Sequence, residues 1–217
     1  MGGLVQLLER VCVEAARALS ASGVGVSLMA SDGAHGMAAA SDPDTARIEE
    51  LQFTFGEGPC IDAAAGGRPV LVPDLTDGAM LRWPMYAAAV LDAGARAVFA
   101  FPLQVGAARL GVLDVFRAHS GAMSRPELGR ALALADQVVT TLLDGQERAT
   151  RTDELDEAFE HRAEVFQAQG MVMVQLGTSL AEALARIRAY AYATDRPLNE
   201  VAADILAHRL RLDTDHA

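Results

Sequence analysis

Two β-rich runs, ARAVFAFPLQ and ARLGVLDVFR, are separated only by Val105, Gly106 and Ala107, and no other stretch constrains the fold as strongly. So short a Gly-containing connection favours a hairpin, and a hairpin makes its two strands antiparallel. Further β-rich segments lie upstream: GVGVSLMAS (Gly23–Ser31), a short run from Met37 to Ser41, and RPVLVPDL, each bounded by Gly, Pro or Asp. Between RPVLVPDL and the hairpin lies RWPMYAAAVLDAGA, an Ala-rich helical stretch stopped by Gly94. Two early strands, a helical insertion and a run of later strands predict an antiparallel-dominated α+β sheet rather than a regular βαβ repeat. Two other helices are legible. Leu4, Leu8, Val11, Ala15 and Leu19 recur with helical period, and Asp42 followed by Pro43 opens DPDTARIEELQF as a cap with proline at the first position.

The texture changes at Ser124. SRPE is a capping box, Ser124 with Glu127 three residues on. Leu128, Leu132, Ala135, Val139 and Leu142 then form a coiled-coil-like seam, which weakens at DGQERATRTDE and resumes with Leu155, Phe159 and Phe166. This predicts one long or slightly interrupted helix, whose seam either pairs two chains in a parallel dimer or packs on its own sheet. Behind it, a helix through Met171 and Met173 stops near Gly177, Ser179 and Glu182 form a second capping box, and Pro197 opens the last helix. Val165, Ala168, Val172 and Leu176, then Ala183, Leu184, Ile187 and Ala191, then Leu198, Val201, Ile205 and Leu206 give one apolar stripe per helix. Three such stripes can close a small bundle.

Composition excludes several classes. No run of 18 apolar residues exists to span a membrane, and acidic Glu9 with no basic flank argues against a signal peptide, so cytoplasm is the expected location. Cys12 and Cys60 make neither a disulfide framework nor a CxxC spacing. All 18 basic residues are Arg; the net charge is −11, divided as −6 over residues 1–146 and −5 behind them. Neither half is a basic nucleic-acid module, so any such contact relies on local Arg clustering and is salt-sensitive.

No Walker A loop, GxGxxG, HExxH or GxSxG is present, and the five histidines, His35, His119, His161, His208 and His216, show no i to i+4 pair. The expectation is a protein that is not an enzyme and has no metal site or cofactor. Three features of the front half stand out. FGEGPC presents Cys60 at a tight turn before CIDAAAGG; a helix N-terminus there lowers a thiol pKa, and the alternative is a structural turn with an inert Cys. Asp114 alternates with Leu110, Val112 and Phe116, which puts a carboxylate on an apolar face, either in a buried hydrogen-bond network or lining a pocket. RWPMY carries Trp83 and Tyr86 beside Pro84, which fits a pocket wall or ordinary core. With Phe55 and Phe99 these residues make up the candidate ligand-lining set.

FTFGEGPCIDAAAGGRPVLVPDL, followed by RWPMYAAAVLDAGARAVFAFPLQVGAARLGVLDVFR, resembles the GAF sensor domain of actinobacterial two-domain regulators. The tail from about Glu154, with AQGMVM at Ala168–Met173 and SLAEALARIRAYAYATDRPLNEVAADIL at Ser179–Leu206, resembles the ANTAR domain. The resemblance implies residues 1–145 as a GAF domain with a central antiparallel sheet and flanking helices, 146–160 as a helical linker, and 161–212 as a three-helix ANTAR bundle. It also implies dimerisation and binding of paired hairpins in nascent RNA, which prevents a terminator from forming. The GAF ligand, an unidentified small molecule if there is one, and an upstream signalling protein stay open. The family's Ala-Lys-Gly signature has Gln169 in place of Lys here. Gln169, Thr194, Arg196 and Asn199 fall on signature positions, with Arg188, Tyr190 and Tyr192 nearby, and Arg196 leads the RNA candidates because it sits with Asn199 at the entry to the final helix. The resulting expectation is a signal-responsive antiterminator; its alternatives are a helical tail that recruits protein and a redox sensor centred on Cys60.

Overall fold

The computed structural model describes residues 3–29, 35–148, 153–194 and 196–212. The chain divides into two compact units, residues 1–155 and 156–217.

The front unit contains α1 (Leu4–Ala18), β1 (Gly23–Met29), β2 (His35–Ala40), α2 (Pro43–Phe55), α3 (Pro59–Gly66), β3 (Val70–Val72), α4 (Ala79–Arg82), α5 (Pro84–Asp92), β4 (Ala97–Val105), β5 (Ala108–Arg117) and α6 (Arg125–Arg148). The five strands form one sheet in the order β2-β1-β5-β4-β3, and every pairing is antiparallel. β4 and β5 are the hairpin read from the sequence: Val105 pairs with Ala108, and Gly106 turns the chain at φ 59°, a value glycine adopts without strain. The turn SDGAHG falls largely outside the described residues.

The alternation of side chains gives the sheet two different faces. Phe99, Phe101, Leu113 and Val115 are fully buried on one face, which α1 and α6 cover. Truncating either Phe to Ala there would cost roughly 3–5 kcal/mol. Val98, Ala100, Val112, Asp114 and Phe116 lie on the other, under α2, α3 and α5. α2 starts where predicted: the Asp42 carboxylate accepts from the Thr45 N–H at 2.8 Å, and Gly56 in the left-handed region ends the helix. RWPMY does not sit within one helix. Pro84 cannot continue the preceding turn, so α4 ends at Arg82 and α5 begins at the proline.

α6 opens with the SRPE box: Ser124 N–H donates to Glu127 Oε2 at 2.7 Å, and Glu127 N–H donates back to Ser124 Oγ at 3.4 Å. The α6 stripe that is buried runs through Ala131, Ala135, Val138 and Leu142, while Leu132 is 43% exposed. The predicted seam is therefore divided between the domain core and an outer face. The chain between α6 and the next helix, and the side chains of Leu155 and Phe159, lie outside the described residues.

The rear unit contains most of α7 (Asp153–Leu176), with α8 (Leu180–Ala193) and α9 (Leu198–Leu206). Their core joins Val165, Ala168 and Val172 to Ala183, Ile187 and Ala191 and to Leu198, Val201, Ala202 and Ile205, so each predicted stripe supplies buried side chains. Ser179 caps α8 by accepting from Glu182 N–H at 3.2 Å. The Glu182 carboxylate turns instead to Thr178 and Arg186, which leaves the box half made.

Candidate ligand site and nucleic-acid interface

A polar cluster is buried between the sheet and α2, α3 and α5. Ser27 of β1, Glu49 and Gln52 of α2, Cys60 of α3, Tyr86 of α5 and Asp114 of β5 are each at least nine-tenths buried. Glycine makes room for it. A Cβ at Gly25 would lie 2.2 Å from Glu49 Oε1 and 2.7 Å from its carboxyl carbon, so only a bare backbone lets that carboxylate sit over β1. Gly25 pairs with Asp114 across the sheet, which places the two acids on the same face. Ser27 Oγ donates to Glu49 Oε2 at 3.3 Å, and Gln52 Nε2 donates to Asp114 Oδ2 at 3.4 Å. Gln52 also accepts from the Cys60 N–H at 2.7 Å and so fastens the FGEGPC turn to α2. Asp114 Oδ1 and the Tyr86 hydroxyl have no hydrogen-bond partner among the described residues.

Burial sets the ionisation here, because removing a charge from water disfavours it. Asp114 is pushed up to about 7 by desolvation, which outweighs the opposing pull of the polar groups of Cys60, Glu49 and Gln52 around it. Desolvation and then the neighbouring Asp114 and Glu49 push the Cys60 thiol well above its ordinary value and do the same to Tyr86. Of the two readings of Cys60, the structural turn is the one that burial favours: a helix start lowers a thiol pKa, but burial beside two acids acts in the opposite direction.

Phe55, Cys60, Trp83, Tyr86, Phe99 and Asp114 do not form one site. Cys60, Tyr86 and Asp114 come together. Trp83 and Tyr86 are both in a large apolar cluster with Ile48, Leu75 and Val90, against which Phe55 packs, and Arg82 stacks its guanidinium 4.5 Å from the Trp83 ring centroid. Phe99 is a correction: its neighbour Ala100 pairs with Asp114, so Phe99 points to the opposite face, beneath the Arg117 guanidinium at 5.4 Å. Glu57 of the same FGEGPC turn accepts from the Met85 and Tyr86 N–H groups at 2.7 and 3.0 Å, which caps α5 from another part of the chain.

In the rear unit the RNA candidates divide by what they already do. Gln169 is 8% exposed and donates to the Leu180 carbonyl at 2.6 Å, so it fastens α7 to the start of α8. Its amide N–H is thereby engaged within the fold. Arg196 is held by Asp204 at 2.7 Å and lies 3.9 Å from Glu200, with Arg209 meeting the same Asp204. Arg188 is half-buried, and desolvation lowers its pKa. Thr194 is exposed and returns its hydroxyl to the Tyr190 carbonyl at 2.7 Å, ending α8. Asn199 is exposed at the first turn of α9, Tyr192 is 60% exposed near the end of α8, and Tyr190 is half-buried.

The sequence profile of the ANTAR domain matches residues 153–206, and that of the GAF domain matches residues 3–142. The chain belongs to the GAF domain family and carries an ANTAR domain at its rear. Among curated proteins the chain finds no match. Solved structures similar to the GAF domain include that of a phosphoenolpyruvate-protein phosphotransferase from Coxiella burnetii, with 18% identity and TM-score 0.54, covering 70% of this chain and 89% of that one. Another is the free methionine-R-sulfoxide reductase of Neisseria meningitidis in complex with its substrate, with 19% identity and TM-score 0.52, covering 67% and 81%. The cyanobacteriochrome TePixJ GAF domain gives 16% identity and TM-score 0.52, covering 67% and 92%. At such identities the likeness establishes the fold alone. No described helix of this GAF and ANTAR protein is long and apolar enough to cross a membrane.

Sequence reasoning passed over Glu49, Gln52 and Ser27 of the GAF domain. Their signal was Gly23-x-Gly25-x-Ser27, three small residues on one face of a strand. Such a face invites close approach by a helix, and α2 brings its polar groups there.

Proposed function

We propose that this chain is a signal-responsive transcription antiterminator: its GAF domain receives a signal, and its ANTAR domain, acting as a dimer in the cytoplasm, binds paired hairpins in nascent RNA. The observation that carries the reading is the succession of a GAF domain and an ANTAR domain in one chain. The protein acts by binding rather than by turnover. Tyr192, Thr194 and Asn199 are the exposed groups around the α8–α9 turn, of the types that stack on or hydrogen-bond to unpaired bases. Arg196, committed to Asp204, contributes mainly by shaping that turn. A signal shifts such a system only through its different affinity for two states, here states that differ in ANTAR availability.

The test is crosslinking of the tagged protein to RNA in its native cell, followed by sequencing, with Tyr192→Ala and Asn199→Ala variants in parallel. Enrichment of leader segments holding two short hairpins, reduced in both variants, is the expected result. If wild type and variants recover the same background, the reading fails.

A second reading, in which the helical tail recruits a protein, draws on the net charge of −5 behind residue 146 and on the engagement of Gln169 and Arg196 within the fold. RNA binding weakens linearly in log affinity against log salt, with a slope set by the phosphates neutralised, whereas a protein-docking tail lacks that steep dependence.

A further inference from the structure

The buried cluster of the GAF domain has a composition that a purely structural network does not require. One ligand atom each from Glu49, Cys60 and Asp114 lie within 4.8 Å of one another, supplied by α2, α3 and β5. Among the described residues, Asp114 is fully buried with Oδ2 accepting from Gln52 and Oδ1 without a hydrogen-bond partner. Tyr86 supplies a second, independent observation from a fourth element: it is fully buried, its hydroxyl has no hydrogen-bond partner among the described residues, and it lies within electrostatic reach of Asp114, Glu49 and Cys60. Two acids and a thiol gathered out of water call for a positive charge among them or for protons on them. Gly25 and Gly58 hold the space open, since a Cβ at either would strike Glu49 or Gln52.

We propose that Glu49, Cys60 and Asp114 form a binding site for a divalent first-row transition-metal ion, with Tyr86 in its outer shell. One thiolate with carboxylate oxygens suits zinc and its neighbours and selects against magnesium and calcium, which take all-oxygen sets. Metal–sulfur and metal–oxygen bonds of roughly 2.3 and 2.1 Å set tetrahedral ligand atoms about 3.6 Å apart, so loading needs these side chains to approach by no more than about 1 Å. Three protein ligands leave a fourth position open, as in sites that accept an exogenous molecule. The Gln52 amide donates to Asp114 Oδ2 at 3.4 Å and so orients one of the carboxylates, the usual work of groups around a metal, and the Tyr86 hydroxyl would be available to a bound water. The expectation of no metal site rested on histidine spacing, and this site uses no histidine. It stands whether or not the ANTAR domain binds RNA.

The test uses the full chain, stripped with a chelator and titrated with Co2+, both folded and during refolding so that burial does not block entry. The expected result is one equivalent bound, with a thiolate-to-cobalt charge-transfer band and a raised unfolding midpoint. The band persists in Cys12→Ser and is lost in Cys60→Ser and Asp114→Asn, whose circular dichroism checks that they fold. Should those two variants not fold, X-ray absorption on the Zn2+-loaded Cys12→Ser chain decides: one sulfur with oxygens in the metal shell supports the site. No band in the wild type, an equal band in Cys60→Ser, or a metal shell without sulfur overturns it and leaves the acids sharing protons instead.

Discussion

Gln169 on α7 donates its side-chain amide to the carbonyl oxygen of Leu180, 2.6 Å away at the first turn of α8. The position at which the family signature has Lys is therefore a tie between two helices in this chain, and a Lys placed there also has N–H groups to give to the same carbonyl. Gln169→Ala removes the donor and should destabilise the ANTAR unit by about 0.5–1.5 kcal/mol. Gln169→Lys should lose less, and should leave the salt slope of RNA binding unchanged. Urea unfolding of the full chain reads the first effect. Equal midpoints for wild type and Gln169→Ala would show that the tie contributes nothing.

Two glycine-to-alanine changes should move stability in opposite directions. At Gly25 the new methyl meets the Glu49 carboxylate, whose Cγ and Cδ would lie 2.6 and 2.7 Å away, in a place where the buried side chain has nowhere to retreat. The expected cost is about 1–3 kcal/mol, as for other overpacked cores. At Gly129, within α6, nothing lies within 4 Å of the added atom, so the helical preference of Ala should stabilise by about 1 kcal/mol. Thermal melting of the two variants side by side is the check, and a stabilised Gly25→Ala would mean that Glu49 does not occupy that space.

Glu127 gives the stability of the front unit an acid limb. Its carboxylate is lowered from 4.5 to about 2, first by its hydrogen bonds to Ser124 and then by Arg117, whose Nη2 stands 2.7 Å away. The folded state therefore favours the ionised form. The stabilisation is fully present above pH 4.5 and is lost as pH falls toward 2. Glu127→Gln should be less stable than wild type near neutral pH, and the gap should close on acidification through that window. Denaturant midpoints measured above and within it provide the readout; a gap that stays constant would show that the charge on Glu127 is not what the fold uses.

The features legible in the sequence were those written in nearest neighbours. The Val105–Ala108 turn, the Ser124–Glu127 box and the three rear stripes each depend on residues a few positions apart, and each has its counterpart in the structure. What was not legible depends on register between distant segments. Asp114 and Phe99 look alike as residues in apolar strands. Only the pairing of Ala100 with Asp114 separates them onto opposite faces. Glu49 reads as one more acid on an acidic surface until Gly25 shows where the helix comes down. Arg196 was read from its type and place, which say nothing of the Asp204 that holds it from eight residues away.

The α6 helix carries a second apolar line beside the one it buries. Leu128, Leu132, Val139 and Leu143 follow one another at spacings of four, seven and four; Leu132 and Leu143 are 43% and 40% exposed, and Leu128 and Val139 are half-buried. These are heptad-type spacings. A helix needs only one apolar stripe to pack on its own sheet, and Ala131, Ala135, Val138 and Leu142 already supply it. We propose this outer line as the face on which the dimer of the proposed function pairs. Replacing Leu132 and Leu143 together by Glu should leave the melting behaviour of the front unit nearly unchanged, since exposed substitutions rarely move stability by more than about 0.5 kcal/mol. The same change puts like charges along the pairing face and should shift the chain from dimer to monomer in sedimentation equilibrium at micromolar concentration. A wild-type chain that is already monomeric, or a doubly substituted chain that stays dimeric, would place the dimer contact elsewhere or remove it from the mechanism. In the first case RNA recognition would have to come from a single ANTAR bundle, with the two hairpins read by chains that meet only on the transcript.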